Sequence, residues 1–266
     1  PGDYLAADLA AVGDVNADGT TDLAAYAFNN LVIGVELEYV LVWSGASGEL
    51  LHRFNAPSLQ HVYGVGVRGV GDVDGDGHDD VALGVGMTGG GRELHVNSGA
   101  SGLPLLVLPG CFGGAARIGD INGDGRDDFA TSGEGLTPGT ESLRIISGDG
   151  STLTRIDGFS YIGSLELAGD LNGDGLQDLL LRGSAGPGGN RTVELRSGAD
   201  GTLWNRFEAP WPFDIVTFDG TGDLDGDTVG DIAISFDRWG PGQVLLLRGG
   251  ALRPFERTCE GTPNST

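Results

Sequence analysis

Lysine is absent, and all 15 basic residues are arginine. Without lysine there is no Schiff-base nucleophile, no lysine general base and no polybasic segment to hold an anionic membrane. Cysteine is nearly absent too: Cys111 and Cys259 are too few for a disulfide framework, though a single bridge between them stays open. Aromatics make up 7% of the chain, and no apolar run approaches the length of a membrane-spanning helix. The histidines His52, His61, His78 and His95 are scattered, stand in no protease or triad motif, and read as surface or strand residues. The chain opens at Pro1 with neither an initiator Met nor a leader, and is expected to be a mature or excised segment.

Glycine is plentiful, at 50 of 266 residues, and 39% hydrophobic content is too high for disorder. Such a chain turns often and still builds a core, which predicts an all-β protein. The net charge of −23 argues against nucleic acid or anionic membrane as a partner, and membrane insertion is not expected.

Much of that charge lies in a nine-residue pattern written five times, with an oxygen-bearing side chain at its first, third, fifth and ninth positions. The sets are Asp14, Asn16, Asp18 and Asp22; Asp72, Asp74, Asp76 and Asp80; Asp120, Asn122, Asp124 and Asp128; Asp170, Asn172, Asp174 and Asp178; and Asp223, Asp225, Asp227 and Asp231. Carboxylates packed this closely repel unless a hard cation sits among them, and calcium accepts six to eight such oxygens. Five calcium sites are expected, each completed by the backbone carbonyl of the seventh position, from Thr20, His78, Arg126, Leu176 and Val229. The competing reading of one such loop is an Asx-turn that needs no metal, but five at a regular spacing favour the ion.

An EF-hand would need a glutamate at the twelfth position, where this chain has Ala25, Leu83, Thr131, Leu181 and Ile234. The sixth position is glycine in four loops (Gly19, Gly77, Gly125, Gly175) but Thr228 in the fifth, a poor residue for positive φ. The fifth loop is therefore expected to turn differently, through Gly226 and Gly230, and its calcium site is the least secure. Ala17 replaces the glycine at the fourth position of the first loop.

The loops recur at roughly 50 residues, a period typical of propellers and solenoids. Each follows an apolar stretch ending in Gly-Asp and precedes a short apolar run, an alternating segment ending in Ser-Gly or Arg-Gly, and a fourth apolar run. The expectation is a five-bladed β-propeller with four antiparallel strands per blade and a calcium loop between the first and second strands. One domain covers 1–258, with blades near 1–58, 59–109, 110–158, 159–210 and 211–258. The first strand falls near 5–12 and the last near 251–257, so no strand is borrowed across the closure, and 259–266 is a tail or the start of a further module.

The Asp-x-Asp/Asn-x-Asp-Gly-x-x-Asp loops resemble the FG-GAP/VCBS repeats of the integrin α-subunit propeller and its bacterial relatives. The Phe-Gly and Gly-Ala-Pro signatures of those repeats survive only as fragments such as Tyr63-Gly64 and Phe112-Gly113. The resemblance implies a calcium-binding propeller, secreted or on the cell surface of a bacterium, used for adhesion, scaffolding or, occasionally, polysaccharide cleavage. The closing 259–265 segment resembles the opening of a further module in large secreted bacterial proteins.

No catalytic residue is expected. Glu36, Glu38, Glu134 and Glu141, outside the loops, read as solvated surface. Trp204, Trp211, Trp239 and Phe213 could stack on sugar rings, although packing is the commoner fate of a tryptophan. The resulting expectation is a non-enzymatic adhesion, scaffold or extracellular-assembly module working through protein contacts or self-association. Carbohydrate binding is the alternative, and a calcium-dependent polysaccharide lyase or hydrolase comes third.

Overall fold

The computed structural model describes residues 3–29, 37–55, 61–87, 89–185, 192–208, 214–237, 243–250 and 259–260. Every regular element among them is a β-strand. The first two sheets are each a simple meander: β1 (Asp3–Gly13), β2 (Asp22–Asn29), β3 (Leu37–Trp43) and β4 (Leu50–Asn55), then β5 (His61–Gly71), β6 (Asp80–Met87), β7 (Arg92–Asn97) and β8 (Pro104–Pro109). There follow β9 (Cys111–Gly119), β10 (Asp128–Glu134), β11 (Glu141–Ile146), β12 (Thr152–Gly169), β13 (Asp178–Ala185), β14 (Thr192–Arg196) and β15 (Leu203–Glu208), hydrogen-bonded in chain order as one seven-stranded sheet. The last sheet holds β16 (Asp214–Gly222), β17 (Asp231–Asp237), β18 (Gln243–Leu247) and β19 (Cys259–Glu260).

Two details differ from the sequence reading. The fourth strand of the third repeat and the first strand of the fourth are one 18-residue strand, β12, which pairs with β13 only from Phe159 onward. Gly158, at φ 100°, lies inside this strand, where the sequence reading puts the boundary between the third and fourth blades. At the other end, the edge of the last sheet is made by Cys259 and Glu260, opposite Val244 and Gln243, inside the segment read as a tail. The strand expected at 251–257 lies outside the described residues.

The pattern of apolar residues explains which strands lie inside. β6 is buried along its first six residues and is written as a near-continuous apolar run. β14 is buried along its whole length although Thr192, Glu194 and Arg196 alternate with its apolar residues, and Glu194 and Arg196 meet that burial by pairing at 2.6 Å. The outer strands β8 and β15 alternate between exposed and half-buried residues, as an edge strand does.

The chain divides into two compact units, Pro1–Glu134 with Leu143–Arg155, and Gly135–Ser142 with Ile156–Thr266. In the first unit, successive repeats pack face to face. Val12, Val15, Val40 and Val42 of the first meet Val67, Val81, Leu83 and Val85 of the second. Val70, Val73, Leu94 and Val96 of the second share another cluster with Cys111, Ala115, Phe129 and Ile146 of the third. In the second unit, Leu180, Val193 and Leu195 of the fourth repeat pack with Phe218, Ile232, Ile234 and Leu247 of the fifth. Small and β-branched side chains dominate these faces, which suits closely stacked sheets.

Candidate metal-binding hairpins

All five loops connect the first and second strands of their repeats, and all five begin in the same register. The ninth-position aspartate stands opposite the glycine that precedes the loop: Gly13 with Asp22, Gly71 with Asp80, Gly119 with Asp128, Gly169 with Asp178 and Gly222 with Asp231. A bulge falls beside that pair in every repeat and aims the loop. Gly13 and Gly71 take φ 84° and 80°, and a side chain on either would collide with Asp79 or Asp127 of the next repeat.

The ninth-position aspartates, fully buried at 0% exposure, are the structural centre of each hairpin. One carboxylate oxygen accepts the backbone N–H of the loop's second residue: Val15 at 2.9 Å, Val73 at 2.8 Å, Ile121 at 2.9 Å, Leu171 at 2.8 Å and Leu224 at 2.7 Å. The other accepts the N–H of the glycine two residues beyond the third strand: Gly45, Gly99, Gly148, Gly198 and Gly249, at 2.8–3.1 Å. Each aspartate thus ties loop and third strand together whether or not a cation is bound. Burial pushes Asp80 up to about 7 and Asp178 up to about 6, against the pull of those two amides.

The first, third and fifth positions lie at the loop tips, where the backbone curls around their oxygens. The first-position aspartate accepts the sixth-position N–H from Gly19, Gly77, Gly125, Gly175 and Thr228 at 2.7–2.9 Å. The fifth-position aspartate accepts the N–H of Thr20, His78, Arg126, Leu176 or Val229. Such amides hold Asp120 and Asp223 below the ordinary carboxylate range, chiefly those of Gly125 and Thr228. The fifth loop therefore turns like the others, contrary to expectation. Thr228 adopts φ 73° itself, held by its N–H bond to Asp223 at 2.8 Å.

What separates the loops is the third position. In the first, third and fourth loops it is asparagine, whose Nδ2 donates to the fifth-position carboxylate: Asn16 to Asp18 at 2.8 Å, Asn122 to Asp124 at 3.0 Å and Asn172 to Asp174 at 2.7 Å. That amide is the main reason Asp18 is held below its ordinary value. In the second and fifth loops the position is aspartate, which has no such proton. There the structure gathers carboxylate trios, Asp72, Asp74 and Asp80 in one and Asp223, Asp225 and Asp227 in the other, with oxygens within 4.8 Å of one another. Asp74 is pushed up, first by burial and then by the charge of Asp76.

Several contributors escaped sequence reasoning. Asp79 and Asp127, at the eighth position, reach back to the preceding repeat. Asp14 N–H donates to Asp79 and Asp72 N–H to Asp127, at 2.8 and 2.9 Å, while the Asp79 and Asp127 amides donate to the carbonyls of Asp14 and Asp72. Arg117 bridges the two, 3.3 Å from Asp79 and 2.7 Å from Asp127. The available signal was the Asp-Asp doublet at 79–80 and 127–128, where the other loops have Thr21, Gln177 and Gly230. The third-strand serines matter as well, since Ser44 Oγ donates to Asp18 at 3.2 Å and Ser147 Oγ accepts from Asn122 at 3.0 Å.

Other expectations need correcting. Glu38 is buried at 7% exposure instead of solvated, and Glu141 accepts the N–H of Ile162 at 2.5 Å; Glu134 is exposed. Cys111 is a buried free thiol, 3.4 Å from Arg144 Nη1, so it is not bridged to Cys259. Trp204 is half-buried and packs against the core of the second unit, while Trp211, Phe213, Trp239 and Glu36 lie outside the described residues. His78 bonds the carbonyl of Val15 at 2.9 Å and His95 bonds Glu93 at 2.8 Å, which occupies both in structural contacts.

No family model matches the sequence, and no curated protein matches it. Solved structures do match in three dimensions. BBS1N in complex with ARL6DN aligns at TM-score 0.53 and 12% identity in lead-soaked crystals, covering 90% of this chain and 76% of that one. The mercury-soaked form aligns at 0.52 and 10%, covering 93% and 77%. The Dos1 propeller aligns at 0.50 and 14%, covering 96% of this chain and 58% of that one. The fold is a β-propeller. At these identities the likeness speaks to the fold alone, and the hairpins sit where a propeller blade turns from its first strand to its second.

Proposed function

We propose that this β-propeller has five blades, binds calcium in its hairpins, and acts without catalysis as an adhesion or assembly module through protein contacts outside the cell. Five repeats support the blade count, since the seven-stranded sheet reads as two four-stranded blades sharing β12. One observation carries the calcium reading. Asp72, Asp74 and Asp80 bring three carboxylates within 4.8 Å, with no asparagine amide at the third position and, among the described residues, no direct ion pair; the charge of Arg126 from the next repeat offsets Asp74 only in part, since its carboxyl is still pushed up. A hard cation fits such an all-oxygen donor set. In each loop it would be held by the first-, third- and fifth-position side chains with the seventh-position carbonyl, and the ninth-position aspartate would add an oxygen where its two amide bonds leave a lone pair. The ion would supply charge neutralisation and stiffness. Loops of this kind in extracellular modules bind calcium at about 10⁻⁴–10⁻³ M, which favours a setting outside the cell.

Support for protein contacts comes from BBS1N, a propeller found in complex with a protein. The test is light scattering of the purified chain in calcium and in chelator, alongside its melt. The expected result is a calcium-dependent rise in melting temperature and a larger species in calcium. An unchanged melt removes the metal, and a strict monomer at every concentration in calcium counts against self-assembly.

A further inference from the structure

We infer that the fifth hairpin carries its own cation, the Arg248 guanidinium, and takes calcium less readily than the second, the other aspartate hairpin. This rests on the calcium reading above. In four repeats the third strand runs into Ser-Gly, at Ser44-Gly45, Ser98-Gly99, Ser147-Gly148 and Ser197-Gly198; in the fifth it runs into Arg248-Gly249. The backbone there is the same, because Gly249 N–H donates to Asp231 at 3.0 Å just as Gly148 donates to Asp128 at 3.0 Å. Residue 248 therefore occupies the place from which Ser44 and Ser147 reach the fifth-position carboxylates of their own loops, at 3.2 and 3.4 Å.

From that place Arg248 Nε lies 3.1 Å from Asp225 Oδ2. Asp225 is the third-position residue, the one that in the asparagine loops would bring its own donor. The arginine supplies from the third strand the proton and the charge that the loop itself lacks. The second loop has the same three tip aspartates and, at the corresponding strand end, Ser98. The two aspartate loops thus differ in how closely an arginine approaches: Arg248 pairs directly with Asp225, whereas the second loop has only the longer-range charge of Arg126 from the next repeat on Asp74.

Calcium entering the fifth loop has to displace a guanidinium from an oxygen it needs, and meets a field already reduced by one charge. The Arg248 side chain is half exposed, at 51%, and the Asp225 side chain, on an exposed loop, is 15% exposed. An ion pair so placed shifts an equilibrium by up to about fivefold.

The experiment is equilibrium dialysis of the full, chelator-stripped chain against calcium chloride, with melts in chelator at low salt. The fifth site is expected to bind about fivefold more weakly than the second, the other aspartate loop. Arg248→Ser should bring the fifth level with the second, and Ser98→Arg should weaken the second. Without calcium, Arg248→Ser should lower the melting temperature and Ser98→Arg should raise it. A binding isotherm unchanged by Arg248→Ser overturns the inference and leaves the calcium reading standing. No calcium uptake at millimolar concentration removes the calcium reading instead. The chelator melts then still decide whether Arg248 neutralises the loop, and a melt indifferent to both variants overturns that.

Discussion

In the third loop Asn122 donates its amide nitrogen to Asp124 and to Ser147 Oγ, each at 3.0 Å. In the second loop the corresponding residue is Asp74, which brings a charge where Asn122 brings a proton. The two hairpins otherwise share register, bulge and buried ninth-position clamp. The comparison separates two roles that a single motif hides. The ninth position holds the hairpin to its blade, and the third decides how much the loop gains from an outside cation.

The comparison is broken most severely at the clamp. Asp128→Ala leaves the N–H groups of Ile121 and Gly148 without their acceptor, and a loss of about 2–6 kcal/mol is expected, at about 1–3 kcal/mol for each buried donor left unsatisfied. Urea unfolding in chelator and in calcium should show similar losses; a loss seen in calcium alone would mean that the ninth position works only through the ion. Next in size is removal of calcium, because each filled loop contributes about 2.7 kcal/mol at a hundredfold excess over its dissociation constant. Asp74→Asn, which turns the second loop into an asparagine loop, should reduce that gain and raise the melt in chelator. A variant that melts lower in chelator defeats the assignment of repulsion to Asp74.

A pH profile sharpens the same contrast. Asp80 holds its proton up to about 7 when folded, and an unfolded aspartate releases it near about 4. Between those values the native chain binds more protons than the unfolded one, so stability in chelator falls as pH rises, the fall being complete above the folded value. Asp178 adds a similar fall ending at about 6. Calcium binds the ionised form and should oppose both. A flat chelator profile across this range contradicts the burial argument.

The smallest effect concerns the turn itself. Thr228 stands at φ 73°, and left-handed backbone costs a non-glycine residue about 1–2 kcal/mol. Thr228→Gly should gain about 1 kcal/mol, less the entropy that glycine returns to the unfolded chain, and Gly77→Thr in the second loop should lose about as much. Equal stability of wild type and Thr228→Gly in urea would show that the amide bonds to Asp223 relieve the turn.

The hairpins and their flanking strands were readable in the sequence because both are local. A loop motif, a preceding Gly and an apolar run on either side determine the register without outside help. What was not readable depends on neighbours distant in sequence. Asp79 and Asp127, at the eighth position, stand outside the ligand pattern, and their role appears only with their partners in the preceding repeat. Glu38 looks like surface because an alternating strand hides which face the next sheet covers. The boundary at 158–159 looks like a break between blades, yet Gly158 at positive φ lies within the continuous β12, a conformation glycine allows. Arg248 was visible as a departure from Ser-Gly, and only its distance to Asp225 gives that departure a meaning.

The asparagine loops also bear on how this protein ages. Asn122 and Asn172 are each followed by glycine, and deamidation there begins when the glycine nitrogen attacks the side-chain amide. In the folded loops those nitrogens donate to Asp120 and Asp170, at 2.7 Å each, while the side-chain amides are held by Asp124 and Asp174. The turn that presents the ligands thus also shields its own weakest bond. Once a loop opens, the same residues become a clock: the attack expels ammonia, water opens the resulting cyclic imide to isoaspartate and aspartate, and peptide mapping of stored samples should find both sooner in chelator than in calcium.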